Sequence, residues 1–84
     1  MNLLKTSVLS SIIDMEASIK KKENIIKNYE IEKKNISNDY DNKEYSTYLK
    51  YCKNYDIKRT KLEIEILKNE IEYIKFVNKI DAPV

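Results

Sequence analysis

Residues 35–42 read Asn-Ile-Ser-Asn-Asp-Tyr-Asp-Asn, and whether the chain turns here decides between two folds. Short polar side chains of this kind bond nearby backbone groups and compete with a helix. The segment separates two long stretches of helical spacing, so it predicts a turn over about 37–41 and an antiparallel hairpin. No Gly or Pro stands in it, which leaves one unbroken helix in an elongated dimer as the competing arrangement. Asp41 followed by Glu44 has the spacing of a capping box and starts the second helix near residue 42. Ser37 or Asp39 as the cap would move that start by a few residues.

Upstream, the apolar residues from Leu3 to Ile36 recur at helical rather than strand intervals and predict a helix over about 3–37, with Asn2 as its cap. Val8, Ile12, Met15, Ile19, Ile26, Tyr29 and Ile36 occupy the a and d positions of one heptad frame. The same frame places Lys5, Lys22 and Lys33 in the seam, where each must carry its ammonium out to water. Downstream, a second helix is predicted over about 42–80, on a frame of Tyr45, Tyr48, Cys52, Tyr55, Leu62, Ile66, Tyr73, Phe76 and Ile80. Arg59 and Asn69 interrupt that frame. Asp81 to Pro83 should end the helix, because the residue before proline avoids helical backbone and proline has no N–H to donate. The expected fold is all-α: a coiled-coil-like antiparallel two-helix hairpin spanning 1–84 as one domain, with a short C-terminal tail.

The second helix has more apolar surface than one neighbour can cover. With the frame through Leu62 turned toward helix one, Ile64, Leu67, Ile71 and Ile74 fall roughly 120° to 200° away on a helical wheel. Glu63 and Glu70 lie between the two stripes. Burying one Leu or Ile is worth roughly 1.5 to 3 kcal/mol, so four left in water would forfeit energy comparable to the stability of a small domain. Two helices alone also bury little surface. The expectation is association with a protein partner or a second copy, completing a bundle through Ile64, Leu67, Ile71 and Ile74, with Phe76 and Ile80 shared between seam and complex. A monomer whose residues 1–10 fold back over that stripe would remove the need for a companion.

Composition excludes whole classes of chemistry. Among 84 residues there is no Gly, His or Trp, and one Cys. Nothing can serve as the imidazole of a Ser-His-Asp or Cys-His arrangement, a Cys/His zinc site cannot be assembled, and a Gly-rich phosphate loop is absent. No catalytic, metal or cofactor-binding residue is therefore assigned, no small-molecule substrate is expected, and the chain reads as a non-enzyme. Lys, Ile, Asn and Tyr dominate, a bias that resembles A/T-rich coding and weakens arguments from abundance. Hydrophobic residues at 42% and charged residues at 36% fit neither obligate disorder nor a large globular core. Cys52 has no partner for an internal disulfide, and a reducing cytoplasm is the simple reading. It is expected near the seam edge as a small hydrophobe. Val8 to Ile13 is too short for the core of a signal peptide and is interrupted by Ser10 and Ser11. No run of about 18 apolar residues predicts a membrane span.

Charge is zoned although the formal balance is only +2. Residues 20–34 and 50–61 are both basic, and a turn near Asp39 brings them side by side. Residues 62–72 are acidic through Glu63, Glu65, Glu70 and Glu72. Lys50, Lys53, Lys58, Arg59 and Lys61, interleaved with tyrosines, are the candidate polyanion-binding residues: lysines would hold phosphates while tyrosines stack bases. Against this, Tyr48, Tyr51 and Tyr55 share the helical side of Leu62 and read as core, and a single Arg offers little bidentate base recognition. The lysines at 20, 21 and 22 point in three directions and read as solvated, while the four glutamates, with Glu63 and Glu70 on one strip and Glu65 and Glu72 on another side, offer only diffuse cation binding.

Small helical hairpins of several families are comparable. The Trp-x-Gly turn of secreted WXG-type hairpins and the Ser-Gln-x-Leu-Asp run of sporulation phosphatases are both missing. In length and apolar patterning the chain is similar to the hairpin co-chaperones of type III secretion systems, a resemblance that assigns no residue a role. The functional expectation is a small adaptor, chaperone or assembly subunit acting by helix-on-helix association. A regulator binding nucleic acid, or a nucleic-acid-binding protein, through the basic half is the alternative, and a self-assembling rod the third.

Overall fold

The computed structural model describes residues 3–39 and 42–79, with side chains over 6–36 and 42–79. Two helices make up the fold: α1, Leu3–Asp39, and α2, Lys43–Val77. They pack side by side in a rod 63 Å long and 16 by 15 Å across. The chain is thus an all-α hairpin, and the unbroken single helix is set aside. On α1, Glu16, Glu23 and Glu30 each stand four residues before Lys20, Lys27 and Lys34. That order and spacing supports an exposed helix face.

Both ends of α2 differ in detail from the expectation. Asn42 caps the start, with extended backbone (φ −80°, ψ 108°), and its Oδ1 accepts the Tyr45 N–H at 3.1 Å. Its carbonyl accepts the Ser46 N–H at 3.0 Å, the first bond of the helical ladder. The cap is therefore one residue past Asp41, which lies outside the described residues, as does Tyr40. Glu44 sits in the first turn, where a carboxylate favours the positive end of the helix dipole. The other end comes at Val77 rather than near residue 80. Asn78 donates from Nδ2 to the Ile74 carbonyl at 2.9 Å, and Lys79 takes the left-handed region at φ 55° while its N–H donates to the Phe76 carbonyl at 3.2 Å. This local left-handed cap stops the helix without help from proline; Ile80, Asp81 and Pro83 lie outside the described residues.

Two ion pairs set one antiparallel register, Lys22 with Glu63 at 3.7 Å and Lys53 with Glu32. In that register Ile12 falls between Ile71 and Ile74, and Ile19 between Ile64 and Leu67; Ile12, Ile19, Ile64 and Ile71 form one buried cluster. Val8, Met15, Ile26, Leu67 and Ile74 pack against them. The frame expected for α1 is the one observed. Ile12 is fully buried, Ile19 and Ile36 are buried, and Lys22 and Lys33 are half-buried seam residues. Lys5 lies outside the described side chains.

For α2 the structure overturns the expected orientation. The face toward α1 runs Ser46, Lys50, Lys53, Ile57, Thr60, Ile64, Leu67, Ile71, Ile74, and every member is buried or half-buried. The spacing is an unbroken alternation of four and three. Isoleucine and leucine are compact enough to let two helices approach to the usual 8–10 Å or so. Tyrosines in the same seam would hold the axes apart, and each buried hydroxyl would need a partner. Apolar content alone favours the tyrosine side, because the true seam is polar at Ser46, Lys50, Lys53 and Thr60.

Candidate functional site

Turning α2 over exchanges the roles of its two stripes. Ile64, Leu67, Ile71 and Ile74, expected to wait for a partner, are covered by α1 of the same chain. They are not a docking surface in this hairpin, and with α1 packed over them they need no companion. Residues 3–10 do not fold back on them separately; they belong to α1, whose Val8 extends the core. Phe76 is exposed at 83% and takes no part in the seam. Ile80 lies outside the described residues.

What remains in water is the stripe expected to be core. Tyr48, Tyr51, Tyr55, Leu62, Ile66, Tyr73 and Phe76 are all exposed, from 57% at Ile66 to 83% at Phe76. Stepping about 100° per residue, the other six fall within roughly 40° of Leu62. The seam lies on the opposite side of the helix. The outer stripe therefore runs along roughly 40 Å of α2, and no described residue covers it. By contrast, the exposed apolar residues of α1, Ile13, Ile25 and Ile31, stand singly and form no comparable line.

The edges of the outer stripe carry charge of opposite sign in its two halves. Lys58 and Arg59 border it before Leu62; Glu65, Glu70 and Glu72 border it after. All five are exposed. Cys52 is half-buried with a free thiol, as the sequence suggests. Its thiol, one turn on from the Tyr48 hydroxyl, holds that phenol above its ordinary value of 10.0 by hydrogen bonding and charge repulsion.

The five candidate polyanion-binding residues are not gathered into one patch. Lys53 is turned into the seam, paired with Glu32, its Nζ 5.1 Å from the centroid of the Tyr29 ring. Glu32 holds its ammonium above the usual lysine range through that hydrogen bond, against some desolvation. Lys58 and Arg59 edge the outer stripe, and Lys61 lies in a shallow groove with Ile64, Glu65 and Lys68. Lys50 alone joins a basic cluster, an open groove it shares with Lys27, Lys33, Lys34 and Glu30. In the sequence the α1 lysines of that groove count only toward the basic zone over residues 20–34, with Lys33 also expected in the seam. Their signal was the pairing of two basic zones across the turn.

Among the described residues no group of three or more Cys, Asp or Glu is placed to hold a metal ion, and no helix is long and apolar enough to cross a membrane. Compared with protein-family models, curated proteins and solved structures, the chain matches none.

Proposed function

We propose that this protein is a non-enzymatic protein–protein interaction module, a small helical adaptor, chaperone or assembly subunit that engages an apolar helical surface through the outer face of α2. One observation carries the reading: seven large apolar side chains stand exposed in a single line, opposite a seam that is already filled. Soluble monomers rarely expose a contiguous apolar patch larger than a few hundred Å², and aromatic residues are the side chains that dominate binding energy at interfaces. α1 supplies a stiff backing, so the face is held straight before any partner arrives, which lowers the ordering cost of binding.

The test is a double substitution on this face, I66E with Y73E. Both residues are more than half exposed, so the helical circular dichroism of the dilute chain should be unchanged. Concentration-dependent mass increase, and cross-links from a photoreactive residue placed at Tyr55, should both disappear. Their survival in the double variant would count against the outer face.

The nucleic-acid alternative has one observation behind it, the groove lined by Lys27, Lys33, Lys34 and Lys50. On that reading K33E weakens oligonucleotide binding and flattens its dependence on salt. No binding at low salt would remove it.

A further inference from the structure

Resting on the association reading above, we infer that the occupant of the outer face of α2 is a second copy of this chain, docked antiparallel about a two-fold axis at Leu62. The outer positions run 48, 51, 55, 58, 62, 66, 69, 73 and 76, with Leu62 at the centre and aromatic side chains toward both ends. Reversal about that centre sets Tyr48 level with Phe76 of the second copy, Tyr51 with its Tyr73, Tyr55 with its Asn69, Lys58 with its Ile66, and Leu62 with Leu62. A two-fold interface must be self-complementary in this way, each contact occurring twice.

Charge agrees independently. A two-fold axis lying across α2 keeps each edge of the stripe on its own side. Lys58 then stands beside Glu65 of the second copy along one edge, a contact that occurs twice. Parallel pairing would instead lay the basic half of the stripe along the basic half of the copy and the acidic half along the acidic half. Like charges so placed oppose association, as in the e and g positions of coiled coils. Area is sufficient as well. Five exposed aromatics with Leu62 and Ile66 present about 700–900 Å² per copy, taking roughly 150–250 Å² for a whole aromatic side chain, which matches the standard interface of about 800 Å² per partner. Because the outer face is opposite the seam, the dimer is a flat row, α1–α2–α2–α1, rather than a square bundle.

Sedimentation equilibrium of the full chain, from micromolar to millimolar, should show the 10.0 kDa mass doubling. L62E places two carboxylates on the axis and should hold the chain at monomer mass with its circular dichroism intact. K58E and E65K should each weaken dimerisation about tenfold or more. An equimolar mixture of the two should recover it, since the mixed pair restores opposite charges at both contacts. A dimer indifferent to L62E, or no recovery on mixing, overturns the antiparallel two-fold. A chain that stays monomeric overturns the second copy, and the photoreactive residue at Tyr55 then separates the two claims. Cross-links in the native cell to a different protein, lost in I66E/Y73E, leave the association reading standing. Their absence removes that reading too.

Discussion

The two sides of α2 are both apolar, yet they are made of different residues and do different work. The inner side uses Ile57, Ile64, Leu67, Ile71 and Ile74 at unbroken heptad spacing, with polar residues where the seam nears the turn. The outer side uses aromatics at both ends of a line through Leu62 and Ile66. Branched aliphatics fill a narrow seam between two helices that are close neighbours in the chain. Large amphipathic rings suit a surface that must tolerate water until covered, since the tyrosine hydroxyl stays solvated while the ring supplies area. The residue chemistry therefore separates the permanent contact from the occasional one, where total hydrophobicity does not.

Alanine substitution is the most severe way to break that contrast. I71A or I64A should cost about 2–5 kcal/mol, enough to unfold much of a two-helix domain, in urea titrations followed by circular dichroism. L62A and F76A in dilute solution should change stability by no more than about 0.5 kcal/mol. As protein concentration rises the outer variants should fall behind the natural chain, because only its folded state gains from association. Equal losses on both faces at the lowest concentration would mean that the assignment of inner and outer is wrong.

That assignment was the part of the fold least legible in the sequence. Two helices, their antiparallel order and the seam of α1 could all be read, because Val8, Ile12, Met15, Ile19, Ile26, Tyr29 and Ile36 form the one good frame in the first half. In the second half two frames compete. The tyrosine frame contains more carbon, whereas the isoleucine frame has the stricter spacing, and spacing decides which face can lie along a neighbouring helix. Lys53 and Thr60 hid the true seam by looking out of place in it. Their polar atoms are in fact satisfied, Lys53 by Glu32 and Thr60 by donating its hydroxyl to the Asp56 carbonyl at 2.8 Å. Neither bond can be inferred until the facing residue or the backbone is in place. That a surplus face exists was legible; which one it is required the structure.

The polar members of the seam sharpen the comparison on a smaller scale. Ser46 is buried, and its Oγ has no hydrogen-bond partner. Removing an unsatisfied hydroxyl should help, so S46A is expected to stabilise the hairpin by about 1 kcal/mol. Thr60 is more deeply buried, at 3% exposure, yet its hydroxyl is bonded, so T60V should move stability by only about 0.5 kcal/mol or less. At the start of the same helix N42A should cost about 1 kcal/mol through loss of the cap. If S46A proved neutral and T60V strongly stabilising, the accounting of seam polarity would be reversed.

The smallest effect is electrostatic and places one titrating group on each face. Inside, Lys53 is held above 10.5, first by its hydrogen bond to Glu32 and further by the charges of Glu32, Asp56 and Tyr29, with desolvation opposing. The folded chain then holds the Lys53 proton more tightly than the unfolded chain does. The resulting stability is complete below the unfolded value of 10.5 and is lost as pH rises through the higher folded one. Outside, Tyr48 is raised by Cys52, so it acts in the same direction over a neighbouring window, beginning above 10.0. The two can still be told apart. Phenolate formation is visible by ultraviolet absorption, and C52S should bring the Tyr48 transition down without touching the Lys53 pair. E32Q should erase the Lys53 contribution, which for a partly exposed pair is about 1 kcal/mol at most. The gap in stability between the natural chain and E32Q should therefore be constant through neutral pH and close in alkali. A gap that persisted unchanged into strong alkali would show that Glu32 supports the seam by packing rather than by charge.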